Sequence, residues 1–324
     1  MSADDRRFMS AAITLSQRGR GRTAPNPPVG CIIVRDGHVV GRGWTQPGGR
    51  PHAEAHAIEQ AGAAIEGATV YVTLEPCAHV SARGPACADL LVAARPTRVV
   101  IAAGDPDPRT NGQGIDRLRA AGITVVADVE ADAARVAMAG FFARQTWGRP
   151  YVTLKFGLSI DGRIALPDGS SRWITGPAAR AHAHLERALS DVILVGRGTL
   201  AADLPSLDVR LPGLEGRSPR RAVLGHGVAP DGWIALPAPQ DIAAIDTCDH
   251  ILIEGGAGAA TAFLKADLVD RLLVYRAPIL IGDGLPAIGN IDLRGLADAH
   301  ERWHHTQSRS LGSDRLDVYH RTRS

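Results

Sequence analysis

Between residues 51 and 87 the chain reads PHAEAHAI (51–58), TVYVTLEPCAH (69–79) and GPAC (84–87). His52, Cys77 and Cys87 are the N and S donors that zinc prefers, and three protein ligands leave a fourth position open to water. A fold that gathers them must bring two separated segments to one sheet edge. Pro51 suits the first turn of a helix, predicted over 51–63. Two residues on a regular helix diverge by about 200° for a separation of two positions. His52 and Glu54 therefore share a site only if His52 sits at the irregular helix entrance. Cys77 follows a predicted strand (69–74) and Glu75-Pro76, where a second helix is expected to begin. The orphan N–H groups and positive end of such a helix favour a thiolate. On this reading two helix N-termini deliver all three ligands. Glu54 needs no metal bond and can carry a proton from the attacking water to a leaving amine. His56 is expected on the surface or in packing, and His79 in the pocket lining at most. Cys31 and Cys248 are expected as small core side chains.

The rest of the chain alternates strand and helix, which predicts an α/β layered fold. Apolar residues at 8, 11, 12 and 15 recur at helical spacing, and VGCIIVRDGHVVGRGW (29–44) reads as two strands around Asp36-Gly37. Helices are predicted near 85–95 and 114–121, with a longer one through 130–145; strands fall at 98–103 and 123–127. The pattern restarts after Gly148 and Pro150, so the expected domains are 1–146 and 149–324, within the range that 324 residues allow. The second half predicts helices at 177–189 and 259–266 and strands at 191–196, 221–225, 250–256 and 271–282. Its segment 203–220 is rich in Pro, Gly and Arg and reads as a long loop.

A net charge of +2 argues against nucleic acid or an anionic membrane as partner, and the dispersed arginines suit a small phosphorylated ligand. The N-terminus lacks a signal peptide's apolar core, and no run approaches about 18 apolar residues. Four scattered cysteines predict a cytoplasmic protein with reduced thiols.

The H-x-E…P-C-x-x-C pattern marks zinc nucleobase deaminases. Its first part matches here, but nine residues (78–86) separate the cysteines instead of two. That spacing points away from tRNA, cytidine and polynucleotide-editing deaminases and leaves room for a loop over the pocket. In the second half, EGGAGAAT (254–261) is a strand–glycine–helix turn able to offer N–H groups to a phosphate. It only nearly spells G-x-G-x-x-G, and no ribose carboxylate follows, so a Rossmann reading is not supported.

Over essentially its whole length the chain resembles the bifunctional deaminase–reductases of riboflavin biosynthesis. The carrying motifs are TAPNPPVGCIIV (23–34), PHAEAHAI, TVYVTLEPCAHVSARGPAC (69–87), GDPDPRTNGQGI (104–115), VTLKFGLSIDGRIA (152–165), RWITGPAAR (172–180) and ILIEGG (251–256). One departure is a residue more between the cysteines than many members have, which a loop can absorb.

The resemblance implies a cytidine-deaminase-like three-layer αβα domain with zinc, then a dihydrofolate-reductase-like α/β domain using NADPH. It implies hydrolytic deamination of 2,5-diamino-6-(5-phosphoribosylamino)pyrimidin-4(3H)-one, followed by reduction of the ribosyl group to ribityl. Asn26 would contact the pyrimidine, an amide suiting an aminopyrimidinone edge. Gly157, Trp173, Thr199, Asp203 and the turn Gly256, Ala257, Gly258, Ala259, Ala260, Thr261, Ala262 would hold the cofactor. Ser171, Arg187, Leu207, Arg210 and Glu254 would hold the substrate, with Arg187 and Arg210 forking onto its phosphate. Asp161 is expected to make a turn with Gly162, and no side chain stands out as proton donor for the reduction. A homodimer through the second domain's paired strands is implied by the same analogy. Two rivals remain at this level: a nucleotide deaminase with a non-catalytic C-terminal half, and a binding protein whose zinc is structural.

Overall fold

The structure, a computed structural model, describes residues 2–79 and 83–323. It divides into two units, Met1–Gly148 and Arg149–Ser324.

In the first unit, α1 (Ala3–Ser16) opens on a capping box. Ser2 Oγ accepts the Asp5 N–H at 3.0 Å and Asp5 Oδ2 accepts the Ser2 N–H at 3.1 Å. Next come β1 (Gly30–Arg35), β2 (His38–Trp44), α2 (Ala53–Ala61), β3 (Thr69–Leu74), α3 (Cys87–Ala94) and β4 (Arg98–Ala103). The unit closes with α4 (Gln113–Ala120), β5 (Thr124–Val126), α5 (Ala131–Ala137) and α6 (Ala139–Trp147). The sheet order is β2-β1-β3-β4-β5, antiparallel through β3 and parallel beyond it. Ile33, Val70, Val72, Leu91, Val99, Ile101 and Met138 form the core between sheet and helices.

Small residues let α2 lie unusually close to β2. A Cβ on Gly43 would stand 2.1 Å from the Ala53 carbonyl oxygen, and one on Gly41 2.4 Å from that of Ala57. From α2 the facing residues are Ala53, Ala57 and Ala61, at successive steps of four. The start of α2, and with it His52, is thereby fixed against the sheet.

The second unit contains β6 (Tyr151–Leu158), β7 (Arg163–Ala165), α7 (Pro177–Ala188), β8 (Val192–Gly196), α8 (Arg197–Asp203), β9 (Arg220–Leu224) and β10 (Ile234–Leu236). It continues with β11 (His250–Ile253), α9 (Ala257–Lys265), β12 (Arg271–Arg276), β13 (Leu285–Pro286), β14 (Trp303–Leu311) and β15 (Asp314–Arg321). The large sheet runs β10-β9-β8-β11-β6-β12-β15-β14, parallel as far as β12 and antiparallel in its last two pairings. β7 and β13 form a separate ribbon. Continuous apolar burial along Val192–Val195 and Ile251–Ile253 fits central parallel strands covered on both faces.

Some predicted elements differ. The helix expected through 130–145 is two helices, because Met138 (φ −110°, ψ 24°) leaves the helical region. The strand expected over 271–282 ends at Arg276. The hairpin of β14 and β15 was not anticipated from the sequence pattern.

Candidate active sites

His52 is the N-cap of α2, with extended backbone (φ −70°, ψ 163°), so it lies outside the hydrogen-bonded turns that hold Glu54. This frees the two side chains from the divergence of a regular helix. His52 Nδ1 stands 3.3 Å from Cys87 Sγ and 3.7 Å from Cys77 Sγ, and all three ligand atoms lie within 4.8 Å of one another. Tetrahedral zinc with ordinary Zn–N and Zn–S bonds requires N···S separations of about 3.6 Å. The donor set therefore fits zinc in both chemistry and spacing.

The route to this geometry corrects one expectation. Cys77 does not begin a helix, since residues 75–79 have no regular structure. The second helix start instead carries Cys87, the first residue of α3, whose backbone N–H donates to Cys77 Sγ at 3.3 Å. The helix end thus acts on Cys77 by hydrogen bonding. Hydrogen bonding from Cys87, then from His52, outweighs burial and brings the Cys77 thiol well below the ordinary thiol range. Glu54 is 3% exposed, and burial pushes its carboxyl up, with His52 opposing and Cys77 adding to the rise. A carboxyl poised in this way beside metal donors is suited to moving protons.

Asn26 is wired into the same site. Its Nδ2 donates to the Gly49 carbonyl at 3.1 Å and lies 2.9 Å from His52 Nε2, while its Oδ1 accepts from Arg83 Nη2 at 3.2 Å. Residues 80–82 of the expected pocket loop (78–86) lie outside the described residues. His56 stands apart, its Nδ1 3.0 Å from Gln46 Nε2 and its ring edge-on to Trp44. His79 is not among the three grouped donors and stands 3.5 Å from Thr110 Oγ1. Cys31 and Cys248 are core residues of their units.

In the second unit a cavity of about 1150 Å³ opens at the carboxyl ends of β6, β8, β9 and β11, the usual place for ligands in a parallel sheet. It exceeds the ~300–1,000 Å³ of ordinary small-molecule pockets. Gly157, Trp173, Thr199, Asp203, Gly256, Ala257, Gly258, Ala259 and Ala262 line it, as do Ser171, Arg187, Arg210 and Glu254. Thr199 Oγ1 accepts the Gly256 N–H at 3.0 Å, bracing the turn that opens α9.

Three expected residues do not line the cavity. Ala260 faces the core, one helical step past Ala259. Thr261 Oγ1 accepts the Gly289 N–H at 2.7 Å. Leu207 packs with Ile193, Val195 and Leu252.

The role expected for Arg187 also changes. Its Nε and Nη2 grip the Glu254 carboxylate at 2.7 and 3.0 Å, and its Nη1 donates to the Asp208 carbonyl at 2.9 Å. The fork that was expected to meet a phosphate is occupied by protein. Arg210 is 60% exposed on its side chain and paired loosely with Asp208 at 3.5 Å. Burial would raise the Glu254 carboxyl, but Lys155 and Arg187 more than offset it and hold it at about 2. Lys155, 3.7 Å from Glu254 and lining the cavity, escaped the sequence reading. Its signal was present: it is one of only two lysines in the chain and interrupts an apolar strand. Asp161 links its turn to a neighbouring loop, accepting from Ser159 Oγ at 2.6 Å and the Gly282 N–H at 2.7 Å.

Two family models match the chain. The cytidine and deoxycytidylate deaminase zinc-binding region matches residues 2–103, and the RibD C-terminal domain matches 150–231 and 242–316. The riboflavin biosynthesis protein RibD of Escherichia coli (strain K12) is 39% identical, covering 91% of this chain and 94% of the relative. That of Mycobacterium tuberculosis (strain CDC 1551 / Oshkosh) is 39% identical, covering 95% of each. Among solved structures, Acinetobacter baumannii RibD superposes with a TM-score of 0.86 at 35% identity, over 98% of this chain and 99% of that one. A diaminohydroxyphosphoribosylaminopyrimidine deaminase/5-amino-6-(5-phosphoribosylamino)uracil reductase from Thermotoga maritima gives 0.86 at 30% identity, over the same shares.

Proposed function

The chain belongs to the RibD family of riboflavin-biosynthesis deaminase–reductases, and we propose that residues 1–146 carry its deaminase and 149–324 its reductase. The enzyme is bifunctional, combining zinc-dependent hydrolytic deamination with NADPH-dependent reduction. Its substrate is 2,5-diamino-6-(5-phosphoribosylamino)pyrimidin-4(3H)-one, and the second step converts the ribosyl group of the deaminated product to ribityl. A match to each half leaves no place for a nucleotide deaminase with a non-catalytic C-terminal half.

His52, Cys77 and Cys87 would hold the zinc, which when bound supplies Lewis acidity that makes a water nucleophilic near neutral pH. Glu54 takes a proton from the attacking water and delivers it to the departing amine, so that water and the 2-amino group become a ring carbonyl and ammonia. Asn26 presents its amide to the pyrimidine edge. The observation that carries this reading is the triad of donors with a buried carboxyl two residues from one of them.

In the reductase half NADPH supplies the hydride. Gly157, Trp173, Thr199, Asp203 and the 256–262 turn are proposed for the cofactor, with Ala260 and Thr261 supporting the turn from behind. Ser171, Arg187, Arg210 and Glu254 are proposed for the substrate, Leu207 bearing on it only through packing. The Lys155–Glu254–Arg187 group keeps fixed charges at one end of the cavity, while Arg210 retains donors for a phosphate. A cytoplasmic location belongs to the proposal on the strength of four cysteines that form no disulfide with one another, and a homodimer on the family resemblance. Among the described residues no helix is long and apolar enough to cross a membrane.

The remaining rival makes the zinc structural, which requires a fourth protein ligand; among the described residues the donor group has three. Spectroscopy of cobalt-substituted protein tests this. The hydrolytic reading expects three protein ligands and an exchangeable water; four protein ligands and no exchangeable water would overturn it.

A further inference from the structure

Glu75 lies directly after β3, two residues before Cys77, and is 3% exposed. A buried carboxyl requires hydrogen-bond partners, and here they are all backbone N–H groups of one distant segment. Oε1 accepts from Gly114 at 3.0 Å and Ile115 at 3.2 Å; Oε2 accepts from Gly112 at 3.0 Å and, more weakly, from Asp105 at 3.4 Å. Gly112 is the N-cap of α4, which has no side-chain cap of its own. Glu75 therefore caps α4 from outside, meeting first-turn donors that would otherwise lack partners.

The seating is close. A Cβ on Gly114 would lie 2.1 Å from the carbonyl oxygen of Pro76, so the first turn of α4 rests on the peptide leading into Cys77. α4 in turn packs against α3, and Arg117 of α4 pairs with Asp89 of α3 at 2.7 Å. α3 begins with Cys87, whose N–H donates to Cys77 Sγ. The path is closed: Glu75 to α4, α4 to α3, α3 to Cys87, Cys87 to Cys77, and two residues back along the chain to Glu75.

We propose that Glu75 is a positioning residue of the metal centre, fixing the Cys77 backbone and, through α4 and α3, the separation of the two thiols. The role rests on the zinc reading above and adds to it a group that touches neither metal nor substrate. Glu75→Gln keeps the shape but turns one acceptor into a donor facing N–H groups. In the full-length protein this variant is expected to release zinc to a chelator about 10- to 100-fold faster, the usual scale for losing an outer partner of a metal ligand. Native exchange protection of the β3 and β4 amides in the same protein, expected unchanged, serves as the folding reference for this unit.

A second measurement needs no variant. Coupling is reciprocal, so removing zinc from the wild type should speed hydrogen exchange at the Gly112, Gly114 and Ile115 amides. Wild-type zinc release from a folded Glu75→Gln protein, or zinc-independent exchange at those amides, would overturn the proposal while leaving the metal site intact. If Glu75→Gln does not fold, the exchange experiment alone decides. A wild-type protein that binds no zinc would overturn the metal reading itself, and this role with it.

Discussion

His52 and Glu54 show how one backbone position divides two chemistries. The extended N-cap turns His52 toward the cysteines, while Glu54, in the first turn of the helix, is buried and is not one of the grouped donors. Glu54→Gln should therefore retain full zinc content by metal analysis yet lose at least about a hundredfold in ammonia release, the scale of general acid–base catalysis. Normal deamination by that variant would remove Glu54 from the mechanism.

In the other unit Glu254 lends itself to a pH test. Its folded-state value of about 2 is below the ordinary 4.5, because Lys155 and Arg187 favour the charged form despite burial. A depressed carboxyl stabilises the folded state fully above its unfolded value and loses that contribution as pH falls through the folded one. Denaturant titrations of the wild type should show stability draining between about pH 4.5 and about pH 2. Glu254→Gln should be less stable at neutral pH, where two cations lose their counter-charge, and should have a shallower slope in that acid window; equal slopes would refute the pairing. Leu207→Ala should cost about 2–5 kcal/mol of stability, as for a buried core leucine, because its side chain sits with Ile193, Val195 and Leu252 rather than in the cavity.

At the scale of elements, the contact of α2 on β2 carries His52 to the site. Gly43→Ala would drive a methyl group into the Ala53 carbonyl, and the helix must shift to accept it. Overpacking of this kind costs about 1–3 kcal/mol, and displacement of the α2 start should weaken zinc binding while NADPH binding persists; zinc affinity equal to wild type would refute the coupling.

The elements that were readable in the sequence are those whose burial imposes a period. β3 and β4 were legible to the residue, since TVYVTL and RVVIAA are continuous apolar runs bounded by turn residues. β14 was not, because WHHTQSRSL is exposed along most of its length and shows neither alternation nor apolarity. The break at Met138 was hidden for the opposite reason: Met138 is fully buried, and the apolar pattern runs on through it. Among site residues, the zinc triad was legible because ligand chemistry restricts residue type. Glu75 was not, because its partners lie about forty positions away and no local spacing encodes such contacts; Lys155 stands out as a lysine in an apolar strand, but its pairing with Glu254, about a hundred positions on, is equally unencoded. The occupation of Arg187 by Glu254 is a contact of the same kind.

For the whole molecule, two units with separate cores imply that each chemistry can be assayed alone. A fragment starting at Gly148 should oxidise NADPH when given the deaminated intermediate, and should leave the undeaminated diaminopyrimidinone unreduced. Full activity of the fragment on the undeaminated compound would contradict the order of steps. The most direct test uses the intact chain. Purified protein is incubated with 2,5-diamino-6-(5-phosphoribosylamino)pyrimidin-4(3H)-one, with and without NADPH, and ammonia and both pyrimidine products are identified. The account predicts ammonia and the ribosyl product without NADPH, and with NADPH the ribityl product, with ammonia released and NADPH oxidised in equal amounts. Oxidation of NADPH without ammonia release, or no ammonia from zinc-loaded protein, would contradict it.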